Sequence, residues 1–487
     1  MKPYILSIDQ GTTGTTAAIY TQQGAFIGAH SVDFAQHFPE PGWVEHEPED
    51  IWRSVREAVQ QALRRSEIGA REIAGIGITN QRETTLLWAR DTGLCVHRAI
   101  VWQCRRTAEV CNALREAGHA DEVRRTTGLV LDPYFSGTKL AWLLDKVPDA
   151  RARAERAELA FGTVDSFLVW RLSGGQSHVT DASNASRTML ASLRGEWCPE
   201  MIALLRIPPQ VLPQIVDSAG VVAHTRGLDF LPDGIPIAGI AGDQQAALFG
   251  QGCVNPGDAK CTYGTGAFVL LNTGERPIAN AEGLLTTIAW RLAGKLCYAL
   301  EGSSFVAGAA VQWLRDGLGL IEASADVEAL ASSVPDAAGV VFVPALTGLG
   351  APFWRPEARG MIGGLTRGTT RAHIARATLE GIAHSVADLL DAMTQGGTSL
   401  RRLRVDGGAS ANNLLMQMQA DYTQLRVERP SDVESTARGA ALLAVMGLNL
   451  EAPKGAAATT DSCFEPLMGT MLREEYRRRW YEAVARC

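Results

Sequence analysis

The sequence predicts an α/β fold built from two units. Three observations carry this. Short apolar runs of strand length alternate with amphipathic helical runs along the 487 residues. A strong turn signal, Asn255-Pro256-Gly257-Asp258, interrupts the chain near its middle. On either side of it stands a strand–turn–strand segment with Gly and Thr at the tip, Asp9 to Gly14 in the first unit and Gly264 to Gly266 in the second. The likeness reads as a weak internal repeat, although spacing alone fits two unrelated hairpins equally well.

In chain order, Tyr4 to Ile8 is a buried strand and Thr16 to Tyr20 its return. Pro48 opens a helix, with Glu47, Glu49 and Asp50 around its N-terminus. Ile51, Val55, Ala58, Val59, Ala62 and Leu63 form its apolar face at helical spacing. Ile73 to Thr79 and Pro236 to Ala241 are further strands, the latter running into Gly242-Asp243 and a helix over Gln244 to Phe249. Beyond the central turn, Ala259 to Leu271 reads as strand, turn, strand. Phe305 to Leu314 is expected as helix, Val340 to Pro344 as strand, His373 to Met393 as a long helix and Leu403 to Val405 as strand. A helix follows from about Asn412, and residues 451–487 read as a short linker and a closing helix. Arg477-Arg478-Arg479 is expected on that helix's solvated face.

Composition narrows the class. A net charge of −7 and a pI near 5.8 advertise no basic face, so nucleic acid is not an expected partner. No apolar run approaches the roughly 20 residues of a membrane span, and Met1-Lys2-Pro3-Tyr4 leads into a strand rather than a signal peptide. The nine cysteines are scattered and odd in number, with no CxxC pair, as expected of reduced thiols in the cytoplasm. Asn184-Ala185-Ser186 is a formal glycosylation sequon with no secretory context.

Chemistry concentrates where strands end in small residues. Gly11-Thr12-Thr13-Gly14, Gly264-Thr265-Gly266 and Gly407-Gly408-Ala409 each expose backbone N–H groups suited to phosphate oxygens. No Walker A sequence is present, so a nucleotide would sit in hairpin tips. Asp9 suits Mg²⁺ and equally suits a turn-starting Asp. Arg82-Glu83, just past a strand end, supplies the donors and acceptors a polyol needs, and both reach one pocket only if the backbone leaves strand geometry there. Trp102 and Phe268 are candidates for the apolar side of such a pocket, or for ordinary core. Tyr134 lies in the turn-rich Asp132-Pro133-Tyr134-Phe135-Ser136-Gly137. Asp243 suits both a proton acceptor in phosphoryl transfer and a helix cap; the residues alone leave the two comparable.

With these residues in view, the chain resembles the glycerol-phosphorylating members of the FGGY carbohydrate kinase family. The resemblance covers nearly the whole chain, through Ser7-Ile8-Asp9-Gln10-Gly11-Thr12-Thr13, Asn80-Gln81-Arg82-Glu83-Thr84 and Ile100-Val101-Trp102-Gln103. It continues through Ala241-Gly242-Asp243-Gln244-Gln245, Thr262-Tyr263-Gly264-Thr265-Gly266, Thr347-Gly348-Leu349-Gly350 and Arg404-Val405-Asp406-Gly407-Gly408. It implies two actin-like, ribonuclease-H-like ATPase domains separated by a cleft: 1–250 for glycerol, 251–450 for the nucleotide, and 451–487 as a C-terminal linker and helix. It implies ATP-dependent phosphorylation of glycerol to sn-glycerol 3-phosphate, with Asp243 as general base. Glycerol contacts would come from Arg82, Glu83, Trp102, Tyr134, Asp243, Gln244 and Phe268. Nucleotide contacts would come from Thr12, Thr13, Gly14, Thr265, Gly308, Gln312, Gly408 and Asn412, with Asp9 and Asp243 at Mg²⁺. A homo-oligomer, dimer or tetramer, is expected. One departure stands out: the family's first turn continues Thr-Thr-Ser-Ser-Arg, and here Thr16 replaces the Arg. A cationic partner of the phosphates is therefore missing, and Mg²⁺ with another cation is expected to compensate.

Overall fold

The computed structural model describes residues 2–278, 283–355, 357–395, 397–430, 434–450 and 460–487. Strands β1 (Tyr4–Gln10), β2 (Gly14–Thr21), β3 (Phe26–Asp33), β4 (Ile73–Asn80), β5 (Ala219–His224) and β6 (Pro236–Gly242) form one sheet in the order β5-β6-β4-β1-β2-β3. β1 to β3 are an antiparallel meander, and β4 and β6 join parallel to β1. The central strands are apolar on both faces because both are covered. Leu6 and Ile8 pack with Ile51, Val55 and Val59 of the Pro48–Arg65 helix, whose buried face is the expected one. Ile5 and Ala18, pointing the other way, pack with Ala437, Ala441 and Ala444 of the Ser435–Gly447 helix.

The second sheet holds β7 (Asp258–Tyr263), β8 (Ala267–Gly274), β9 (Leu285–Leu292), β10 (Lys295–Ser304), β11 (Arg402–Asp406), β12 (Val427–Pro430) and β13 (Thr460–Phe464), in the order β9-β10-β8-β7-β11-β12-β13. Its β7–β8 hairpin and the parallel β11 and β12 repeat the plan of β1–β2, β4 and β6. The two glycine-threonine tips thus occupy equivalent places in two like sheets, and the repeat is structural. The Ser435–Gly447 helix comes late in the chain yet covers the first sheet. Gly77 makes this approach possible: a Cβ there would lie 2.1 Å from the Ala440 carbonyl oxygen.

Three expectations change. The helix expected from Phe305 starts at Gly308, because β10 runs on to Ser304 and residues 305–307 turn the chain. The C-terminal segment contains an unforeseen strand, β13, which lines up on β12; residues 451–459 of the expected linker lie outside the described residues. Arg477 is buried, 5% exposed, and donates to Asp388 at 2.6 Å and Asp391 at 2.8 Å. Helical rotation turns it toward the Arg371–Gln395 helix, while Arg478 and Arg479 stay on the solvated face. Asn184 is fully buried and bonded to Asn80, so the sequon is inaccessible.

Candidate active site

The first hairpin tip is closed by its own backbone, with the Gly11 N–H donating to the Gly14 carbonyl at 2.8 Å. Asp9 and Thr16 are direct partners in the antiparallel ladder, so their side chains share a face. The Thr16 hydroxyl bonds Ser31 at 2.8 Å. Loss of water contact, and then the carboxylates of Asp243 and Glu434, push the Asp9 carboxyl well above its usual range. A cation there would reverse that shift. The Thr12 hydroxyl accepts the indole N–H of Trp102 at 2.9 Å, which ties the hairpin tip to that ring. Trp102 and Tyr134 meet edge to face with ring centres 5.6 Å apart.

Beyond β4 the chain turns sharply. Glu83 has φ 59°, and the Thr84 N–H donates to the Arg82 carbonyl at 2.7 Å, closing a three-residue turn around Glu83. This is the expected departure from strand geometry. The left-handed conformation of a non-glycine residue costs about 1–3 kcal/mol. Ser136 and Thr85 hold the turn by donating to the Glu83 carbonyl at 3.1 and 3.0 Å.

Asp243 is the first residue of its helix, Asp243–Gly250, and Gly242 is the cap. Its carboxylate accepts the N–H of Gln244 at 2.7 Å and forms an ion pair with the Arg82 Nε at 3.1 Å, and its side chain is 30% exposed. The helix N-terminus favours its negative charge. Arg82 reaches past Asp243 to Glu301 on β10, donating through Nη1 at 2.5 Å and Nη2 at 3.1 Å. Burial opposes a charged Glu301, but Arg187 and Arg82 outweigh it and draw the carboxyl down to about 2.

Arg187, Glu301 and Lys260 were not foreseen from the sequence. The ladder register explains two of them. Lys260, Thr262, Phe268 and Glu301 lie on one face of the β7-β8-β10 strands, the face turned to Gln244 and Arg82. Lys260, fully buried, donates to the side-chain oxygen of Gln244 and to Thr262 at 2.8 Å. The available signal was a charged residue inside an apolar strand, in Ala259-Lys260-Cys261 and Leu300-Glu301-Gly302.

A separate cavity of about 440 Å³ opens on the second lobe. Thr265, Gly308, Gln312, Gly408 and Asn412 line it together, whereas Thr12, Thr13 and Gly14 do not. The hairpin tip is tied to the next helix: the N–H groups of Gly308 and Ala309 donate to the carbonyls of Gly264 and Thr265 at 2.9 and 3.1 Å. Gly407, φ 85°, packs against Tyr263 where a Cβ would meet the carbonyl oxygen at 2.5 Å. The Asn412 side chain caps the Asn413–Thr423 helix through the Leu415 N–H at 2.8 Å.

Family models match both halves of the chain: the N-terminal domain of the FGGY family of carbohydrate kinases over residues 4–250, and its C-terminal domain over residues 259–448. The glycerol kinase of Alkalilimnicola ehrlichii is 57% identical over 484 residues, 99% of this chain and 98% of that one. That of Myxococcus xanthus is 53% identical, with 99% of each chain covered. The crystal structure of Plasmodium falciparum glycerol kinase with ADP superposes with a TM-score of 0.94 at 34% identity, over 99% of this chain and 98% of that one. A xylulose kinase from Rhodospirillum rubrum, 24% identical, shares the fold with a TM-score of 0.87 over 99% of this chain and 97% of that one. With two charged lobes facing one cleft, and with both halves matched, this chain belongs to the FGGY family of carbohydrate kinases.

Proposed function

We propose that this chain transfers the γ-phosphoryl group of ATP to a terminal hydroxyl of glycerol, giving sn-glycerol 3-phosphate and ADP. The observation that carries the reading is the Arg82–Asp243 contact at 3.1 Å in the cleft, beside the aromatic pair Trp102 and Tyr134. Relatives bearing the name glycerol kinase at 52–57% identity support the choice of acceptor. Asp243 accepts the proton of the attacking hydroxyl as the bond to phosphorus forms, and Arg82 orients that carboxylate. Glu83 accepts a hydrogen bond from a second hydroxyl, while Trp102, Tyr134 and Phe268 cover the C–H edges of the carbon chain. The nucleotide occupies the cavity at Thr265, Gly308, Gln312, Gly408 and Asn412.

Asp9 and Asp243 fit a magnesium ion: two carboxylates in electrostatic contact, with the remaining ligands left to water and phosphate oxygens. The ion would neutralise phosphate charge there. Lys260, on the second sheet and in electrostatic contact with Asp243, is the additional cation that we assign to the gap left by Thr16.

Replacing Asp243 with Asn keeps shape and removes the base. Turnover of glycerol should fall by about 10²–10⁴-fold, with ADP affinity retained in a titration. Turnover close to wild type in folded D243N would sink the assignment of Asp243.

A further inference from the structure

We propose that Arg187 and Glu301 are positioning residues of the polyol site, a buried pair that fixes how Arg82 and Glu83 present themselves to the substrate. The proposal rests on reading Arg82 and Glu83 as polyol ligands.

The geometry is specific. Arg187 uses one edge of its guanidinium for two carboxylates, with Nε to Glu83 at 2.5 Å and Nη2 to Glu301 at 3.0 Å. Glu301 in turn receives both terminal nitrogens of Arg82 at 2.5 and 3.1 Å. The four side chains are 0–3% exposed. Charges alternate: two cations, two anions, and Asp243 at the open end. Arg82 is therefore stretched between Glu301 and Asp243. Without Glu301, its orientation at Asp243 loses its anchor.

Packing alone does not account for Arg187. A buried ion pair is commonly no more stabilising than well-packed apolar side chains of similar volume. Moreover, Nη1 of Arg187 is buried without a hydrogen-bond partner among the described residues. The guanidinium also lies against the rings of Tyr134 and Phe135, 5.4 and 5.2 Å from their centres. One side chain thus touches Glu83, Glu301 and the Tyr134 wall of the pocket.

The pair also joins the lobes. Arg187 and Arg82 belong to the first, whereas Glu301 belongs to β10 of the second sheet, beside its edge strand β9. A displacement of one lobe against the other is passed to the polyol ligands through these bonds.

The charge state of Glu83 supplies a readout that a structural role would not move. Burial raises its carboxyl above the usual range against the pull of Arg187 and Arg82; Glu301, Tyr134 and Lys139 also face it. Removal of Arg187 raises Glu83 further. The acid side of the pH profile for kcat/KM on glycerol then moves to higher pH, because an uncharged Glu83 no longer accepts from a hydroxyl on both oxygens.

The test compares wild type, Arg187→Met, Arg187→Lys, Glu301→Gln and Glu83→Gln. Glycerol KM, ATP KM, kcat and their pH profiles are measured, with ADP affinity and thermal unfolding as controls. For R187M and E301Q we expect glycerol KM to rise by about tenfold or more, with ATP KM and ADP affinity within about twofold of wild type. R187M should shift the acid limb upward, and R187K should restore part of the loss. Folded R187M or E301Q with a wild-type glycerol KM and pH profile would overturn the proposal. So would parallel losses of glycerol and ADP affinity. Should R187M fail to fold, the isosteric E301Q decides by the same criteria. A wild type inactive on glycerol overturns the functional reading itself. A wild type active on glycerol and an E83Q with a raised glycerol KM, beside an unaltered R187M, overturn only the role of Arg187.

Discussion

The residues around Asp243 fit both a helix cap and a proton acceptor. Asp243 starts a helix, yet the cap is Gly242, so its carboxylate is free to face the cleft and meet Arg82. For Thr12 we propose a place beside the polyol. Its place in a Gly-Thr turn suggests phosphate, but its hydroxyl is engaged by the Trp102 indole. Thr12→Val should therefore weaken glycerol binding by about 0.5–1.5 kcal/mol, the worth of one hydrogen bond, with ADP affinity unchanged. A titration of each ligand checks this, and a selective loss of ADP affinity would return Thr12 to the nucleotide. Asp9, Arg82, Glu83 and Asp243 drew attention in the sequence because each lies in the last residues of a strand or within three residues beyond it, where polar residues among small ones stand out. Arg187 and Glu301 did not, because their meaning lies in bonds spanning 104 and 219 residues. Nothing local in Ala185-Ser186-Arg187 marks a partner so distant.

Elements with a strong period were read well, since burial enforces it. The helix at Pro48 begins where its proline and acidic first turn place it, and its six expected apolar residues are all buried. β13 went unseen because an edge strand of five residues is set by its neighbour β12 rather than by its own pattern. The tight seat of the Ser435–Gly447 helix on the first sheet is testable at Gly77. Gly77→Ala forces a methyl into the Ala440 carbonyl and should cost about 1–3 kcal/mol or more. A urea midpoint equal to wild type would contradict this packing. The junction of the Arg371–Gln395 and Thr470–Val484 helices makes a pH prediction. Glu380, beside a cavity of about 320 Å³, has its carboxyl pushed by burial from 4.5 up to about 7, against the pull of Arg376. Asp336, Arg479, Tyr422 and Tyr476 also face it. Because the folded chain holds this proton more tightly than the unfolded one, stability falls as pH rises through that window and is level above it. The contribution is on the order of 3 kcal/mol. Glu380→Gln should reduce the slope of Tm against pH between 5 and 7, within the window set by those two values. Asp388, raised to about 6 by burial, retains part of it. An unchanged slope would show that Glu380 is ionised throughout.

At the scale of the molecule, two sheets of like plan carry different equipment. The first presents Arg82, Glu83 and Asp243; the second presents Lys260, Phe268 and Glu301 on one strand face and a nucleotide-sized cavity beyond it. The alternation of strands and helices and the paired hairpins made the two-unit plan readable in advance. The cross-lobe contacts were not readable, because they depend on strand register, which a single sequence leaves free. These two surfaces are expected to act as one site for phosphoryl transfer to a three-carbon polyol. The most direct measurement is ADP release with glycerol, D-xylulose, gluconate or no acceptor, with the product of the glycerol reaction identified. We predict sn-glycerol 3-phosphate and a kcat/KM for glycerol about a hundredfold or more above the alternatives. ADP release that needs no acceptor, or that favours D-xylulose or gluconate over glycerol, would contradict it.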